Sequence, residues 1–410
     1  MLATLQLDAY PIDGGESTGM PRLVMLKPKN RDALPAGGKW PLENVQLRLE
    51  NQRVVIPESD PVLQQQILEM LGEDKDHYGF AVLDLSNLNA PVFAEYRGDT
   101  RFNPGSVGKL LVGLSLFQTL ADRYPNDIEA RRKYLSETIL TADPLIMVDD
   151  HDVAIVDPAT NQLVYRPLQI GDQGNMWTYL DWMFSASSNA ASAMVVKEMI
   201  LLRELQANYT AMRPQADEYL KQRKKSELGK TLTEALQQPV ISNGLDGSKL
   251  QQGGFFTRAG KQAVPGANSY ATPTEFIRFL LKMEQGQLVD QFSSVELKRL
   301  MYLTQKRIRY ASSPALSKEA LYFKSGSLYR CKPEVDFKCR KYQGNVENLL
   351  NSVAIVESAK DAANPLYYYV VITSNVLRKN SAVAHQTLAT KIHRLIQARH
   401  HSPSEVVPQK

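Results

Sequence analysis

Ser106 and Lys109 stand three positions apart in the run Asn103-Pro104-Gly105-Ser106-Val107-Gly108-Lys109. A helix beginning here places the hydroxyl and the amine on one face. That pair is what serine-based nucleophilic catalysis requires. A serine hydroxyl attacks poorly at neutral pH until a neighbour takes its proton, and a lysine can do so only where burial or a nearby cation keeps it neutral. The helix N-terminus adds backbone N–H donors and a partial positive charge. Taken alone, the spacing is better read as a capping serine beside a surface lysine, since Ser-x-x-Lys occurs by chance in many proteins.

Two further groups of side chains carry similar chemistry. In Ser185-Ala186-Ser187-Ser188-Asn189, between an aromatic-rich helix and an apolar one, Ser187 can relay a proton and Asn189 can hold a carbonyl. The simpler reading is that Ser188 or Asn189 caps the second helix. Near the C-terminus, Lys324-Ser325-Gly326-Ser327 lies in a strand-like run, where Gly326 leaves room for a ligand backbone to pair along the edge.

The elements that must position these groups follow from the pattern of apolar residues. VLQQQILEML after Ser59-Asp60-Pro61 predicts an amphipathic helix that stops at Gly72. YGFAVLDL and PVFAEYRG, joined by a polar turn, predict an antiparallel hairpin. Residues 106–122 are apolar nearly all round, so that helix should be buried. Helices then run through WTYLDWMF, AASAMVVKEMILLREL and TPTEFIRFLLKMEQ, before the strands LYFKSGSLYR, NSVAIVES and LYYYVVITS and a closing helix, HQTLATKIHRLIQARH. Strands at both ends around a helical block predict an α+β protein with one antiparallel sheet built from both chain ends. Residues 1–58, rich in Pro and Gly, read as an accessory segment with short strand-like runs at Leu23–Leu26 and Val45–Leu49. Residues 59–400 form the main domain, with a helical subdomain over about 110–300, and residues 401–410 form a tail.

Composition narrows the function classes. The 410 residues are 43% hydrophobic and 22% charged, which fits a globular protein with a sizeable core. No run of eighteen apolar residues occurs, so no membrane span is expected. A net charge of +4 over this length gives no reason to expect a nucleic-acid partner, and the run Lys221-Gln222-Arg223-Lys224-Lys225 reads as a solvated helix face. Cys331 and Cys339 lie eight positions apart, and across a hairpin they could bond, as suits the periplasm or the exterior; two free thiols are the alternative. No metal-ligand cluster accompanies them, and no metal or cofactor is expected.

In this order, Ser-x-x-Lys, Ser-x-Asn and Lys-Ser-Gly resemble the motifs of the penicillin-recognising serine enzymes, the serine β-lactamases and penicillin-binding D,D-peptidases. The frame over about residues 60 to 400 looks like class A β-lactamases in particular. The resemblance implies a β-lactamase/transpeptidase-like fold, with the antiparallel sheet flanked by an all-helical subdomain. It makes Ser106 the acylated nucleophile, Lys109 its base and Ser187 the proton relay to the leaving nitrogen. Asn189 would bond the substrate amide, Lys324 and Ser325 its carboxylate, and the N–H groups of Ser106 and Ser327 the oxyanion. The implied partner is a β-lactam or a peptidoglycan stem peptide, and the implied location is the periplasm or exterior of a bacterium, with the leader absent from this chain.

Two departures bear on the reaction. Ser188 stands where class A enzymes usually carry aspartate, which is closer to the peptidases. The stretch from Ala235 to Thr274, where those β-lactamases place the acid that activates the deacylating water, contains no Glu. Its only carboxylate is Asp246, and Glu227 and Glu234 precede the loop as helix charges. The expectation is therefore an enzyme acylated at Ser106 and slow to deacylate. The alternatives are an efficient β-lactamase with an unrecognised base, and a non-catalytic cell-wall binding module.

Overall fold

The computed structural model describes residues 36–400 other than positions 158, 306 and 360, together with Met20 and Arg22. The strand-like run at Leu23–Leu26 lies outside the described residues. Helix α1 (Pro61–Leu71) starts where Asp60 accepts the Leu63 N–H at 2.6 Å and Pro61 takes the first turn. Strands β1 (Tyr78–Asp84) and β2 (Val92–Tyr96) follow as the expected hairpin. The segment with Ser106 is a 3₁₀ turn over Gly105–Gly108 running into helix α2 (Lys109–Arg123), and helix α3 (Ile128–Glu137) comes next.

The helical block carries short ladders that the sequence reading did not anticipate. β3 (Ile139–Thr141) pairs with β6 (Gln173–Asn175), and β4 (Asp152–Asp157) pairs with β5 (Gln162–Pro167). Trp182 Nε1 donates to Ala154 O at 2.8 Å and docks the β4–β5 hairpin on helix α4 (Met176–Ser185). Helix α5 (Asn189–Leu205), further helices including α6 (Lys225–Ser242), the small β7 (Leu250–Gln251) and β8 (Tyr270–Ala271) ladder, α7 (Pro273–Glu284) and α8 (Gln291–Tyr302) complete the block. The basic run is not one helix face. A short helix ends at Gln222, Arg223 turns the chain and pairs with Glu204 at 3.0 Å, and α6 begins at Lys225.

β9 (Ala320–Arg330), β10 (Glu347–Glu357), β11 (Tyr367–Asn375) and helix α9 (Ser381–His400) close the chain. The five-stranded antiparallel sheet runs β2-β1-β11-β10-β9, so both chain ends build it. Its strands are apolar on both faces because both are covered. Ala81, Leu83, Val353, Ile355 and Val371 face the helical block, whereas Phe80, Val82, Ala354, Val356 and Val370 face α1 and α9.

Val45–Leu49 is not a strand. Among the described residues its backbone pairs with no strand, and Val45 and Leu49 are instead buried in the main core, with Leu49 N–H on Glu284 O at 3.1 Å. A buried ion cluster ties this segment down. Lys298 lies 2.8 Å from Glu284 and 3.3 Å from Glu357, Lys298 Nζ donates to Gln46 O at 2.6 Å, and Arg48 reaches Glu357 at 2.6 Å. Cys331 and Cys339 form a disulfide just beyond β9.

Candidate active site

Ser106 sits in the turn entering α2, and the sheet fixes that turn. Asn351 on β10 donates from Nδ2 to Asn103 O at 2.8 Å, Thr373 on β11 holds Asn351 Oδ1 at 2.7 Å, and Gly105 N–H returns to Asn103 Oδ1 at 3.0 Å. Gly105 has a φ of 52°, open to glycine at little cost. Gly326 serves a different purpose from the one expected. A Cβ there would lie 2.5 Å from Pro104 O and 2.6 Å from Ser106 N, so the missing side chain makes room for the turn that carries Ser106 rather than for a ligand backbone. This close approach brings the backbone of Ser327 beside that of Ser106.

The three motifs meet through two lysines. Lys109 is fully buried, and its Nζ lies 3.1 Å from Ser106 Oγ while donating to Ser187 O and Asn189 Oδ1, both at 2.7 Å. Lys324, also buried, donates to Ser187 Oγ at 2.8 Å from β9. Ser187 has a φ of 62°, a left-handed conformation that turns its carbonyl to one lysine and its hydroxyl to the other. Ser188 is the residue that caps α5, its Oγ accepting the Ala191 N–H at 3.1 Å.

Three residues near the site gave no sequence signal. Arg309, at a φ of 64°, donates to Ser325 Oγ at 2.6 Å, Ser327 Oγ at 2.9 Å and Tyr342 OH at 3.1 Å. Burial alone would raise the Tyr342 phenol, but the charges and hydrogen bonds of Arg309 and Lys341 together outweigh it and the phenol lies below its usual value. Phe256 places its ring centre 4.7 Å from Lys109 Nζ. Gln252 is buried, with its Oε1 packed over Gly108, where a Cβ would come within 2.0 Å. The absence of Glu from this loop was the only sequence hint that something else lies beside Lys109.

A cleft of about 600 Å³ joins Ser106, Asn189 and Ser327 to Gln252, Phe256 and Lys261. Among the described residues lining it, none is Asp or Glu. Asp246 is not in it: the side chain is exposed and accepts from Ser248 N at 2.8 Å and Ser248 Oγ at 2.6 Å. Glu227 and Glu234 lie on α6, where they pair with Arg223 and Lys230. Chemically, the arrangement presents a hydroxyl with an amine to take its proton, a second hydroxyl bonded to a second amine, and paired backbone donors at a helix mouth.

A serine and a lysine at the mouth of a buried helix, held between a sheet edge and a helical block, define a penicillin-recognising serine hydrolase as a class. The chain belongs to the beta-lactamase enzyme family, whose profile matches residues 62–396. No curated protein sequence matches it. Among solved structures, it is similar to a mutant of PBP-A captured as its acyl-enzyme complex with penicillin-G, at 13% identity and a TM-score of 0.52, covering 84% of this chain and 100% of that one. A β-lactamase from Chitinophaga pinensis matches at 13% identity and 0.54, covering 83% and 100%. The chromosome-encoded β-lactamase of Vibrio parahaemolyticus matches at 17% and 0.50, covering 83% and 99%. At these identities the likeness is one of fold.

Proposed function

We propose that Ser106 is acylated by β-lactams and by D-Ala-D-Ala-type amides of peptidoglycan stem peptides, and that the acyl-enzyme is slow to release. The observation that carries this is the contact of Lys109 Nζ with Ser106 Oγ in a cleft whose described lining holds no carboxylate. With Lys109 neutral, Ser106 Oγ attacks the carbonyl carbon and its proton passes to Lys109 Nζ. The N–H groups of Ser106 and Ser327 receive the oxyanion. The carbonyl C–N bond then breaks, and Ser187 Oγ gives its proton to the leaving nitrogen, recovering one from Lys324 across a bond already made. Asn189 orients the substrate amide, while Lys324 and Ser325, with Arg309 behind it, attract the substrate carboxylate.

Deacylation needs a group to take a proton from water. Phe256 occupies the flank of Lys109 with a ring that cannot. Penicillin-G acylation of the PBP-A mutant is in keeping with such an adduct on this fold. The disulfide and the peptidoglycan-type substrate together favour a periplasmic or extracellular setting. Intact mass spectrometry of the protein with a penicillin tests the reading. An adduct that forms on the wild type, persists for hours and is absent from Ser106→Ala supports it; absence of any adduct on the wild type overturns it.

A further inference from the structure

The second motif is anchored by an atom outside itself. Ser187 and Asn189 both face Lys109, and between them Ser188 turns inward, fully buried. Its Oγ donates to Asp149 Oδ2 at 2.8 Å, and the same oxygen accepts the Ala190 N–H at 2.9 Å. The other carboxylate oxygen lies 2.5 Å from His151 Nδ1. The Asp149 side chain is only 3% exposed. Burial opposes its ionisation, but His151, the Ala190 N–H and the Ser188 hydroxyl together hold it down at about 2. One ionised carboxylate thus sits at the N-terminus of α5, where negative charge is favoured, and grips the residues flanking Ser187 and Asn189.

The loop that supplies it reaches the opposite wall as well. Thr257 Oγ1 donates to Leu145 O at 2.6 Å, and Ala259 N–H donates to Met147 O at 2.8 Å. These bonds tie Thr257 and Ala259, next to Phe256, to the loop. A single loop therefore sets the second motif against the segment that covers Lys109.

We propose that Asp149 is a positioning residue for acylation: its carboxylate, reaching in from the loop, holds Ser188 and Ala190 so that Ser187 and Asn189 meet Lys109 and Lys324. It takes over from outside the motif what a carboxylate at position 188 would do from within. The inference rests on the acylation of Ser106 proposed above. Asp149 touches neither the nucleophile nor the cleft, so its effect is carried by the geometry of its neighbours.

The test uses the full chain with Asp149→Asn, Asp149→Ser and the exchange Asp149→Ser/Ser188→Asp. Rates of penicillin adduct formation are read by intact mass spectrometry, and thermal midpoints are measured alongside. Losing charge-assisted bonds at a buried site is expected to slow acylation about ten- to a hundredfold in Asp149→Asn and Asp149→Ser. The exchange variant is expected to regain most of that rate, a rescue that a merely structural role would not give. Asp149→Asn acylating at the wild-type rate overturns the proposal. Should Asp149→Asn fail to fold, the exchange variant decides: recovered acylation supports the role, and a folded exchange variant no faster than Asp149→Ser removes it. A wild type that forms no adduct is a different result, since it overturns the reading of Ser106 itself.

Discussion

Lys109 Nζ lies 4.7 Å from the centre of the Phe256 ring, so an aromatic face lies directly beside the amine that contacts Ser106. An aromatic face offers no lone pair that could take a proton from water. Phe256→Glu puts a carboxylate beside Lys109 and Ser106, where it can take a proton from water. The adduct lifetime is expected to fall by on the order of a hundredfold, within the range of general-base catalysis. An unchanged or longer lifetime, followed by mass spectrometry after removal of free penicillin, would count against this account of slow release.

Lys109→Ala removes the proton acceptor and should lower the acylation rate by roughly 10²- to 10⁴-fold. It also leaves Asn189 Oδ1 and Ser187 O without a buried partner, so a lower thermal midpoint is expected as well. Adduct formation at the wild-type rate in a folded Lys109→Ala chain would remove Lys109 from the reaction.

Arg309 holds the hydroxyls of Ser325 and Ser327 at once, a task suited to a planar fork. Arg309→Ala should raise the half-saturating penicillin concentration about tenfold or more, with a smaller change in the limiting acylation rate. Arg309→Lys should not restore it, because a single ammonium serves two separated hydroxyls poorly. Full recovery with lysine, measured in the same titration, would point to charge alone.

His385 and His393 set a pH limit on stability. Burial, with Arg309 nearby, lowers His385 to about 3, and burial lowers His393 to about 4. His385 lies between Ser352 Oγ and Ser374 Oγ, each at 2.9 Å, and His393 meets Tyr368 OH at 3.0 Å. Both are neutral when folded, whereas the unfolded chain takes up their protons near pH 6.5. Their contribution is complete above about pH 6.5 and falls as the pH drops toward 4, by about 1.4 kcal/mol per pH unit for each histidine. Urea unfolding between pH 7.5 and 5 checks this. His393→Gln should halve the slope that the pair contributes, and an equal slope in wild type and variant would exclude the histidine.

The three motifs and the strands that carry them were legible because each rests on local information. Ser106 and Lys109 share a face through helical spacing, and the apolar runs at 78–84, 320–330, 347–357 and 367–375 are long enough to mark covered strands. The β4–β5 hairpin was also within reach, since a polar turn with Asp157 and Asn161 separates the β-branched run Val153–Val156 from Leu163-Val164-Tyr165. Val45–Leu49 misled because an apolar alternation marks burial without specifying a pairing partner.

What the sequence determined by itself is the chemistry on offer: a serine, two lysines, a second hydroxyl and an amide, in an order that fixes which elements carry them. The tertiary structure alone decided their neighbours. Phe256 meets Lys109, Arg309 meets Ser325 and Asp149 meets Ser188 across separations of 147, 16 and 39 positions. No local pattern encodes such pairings, because each depends on how loops with no periodicity settle against a sheet and helix block that fold around a shared core.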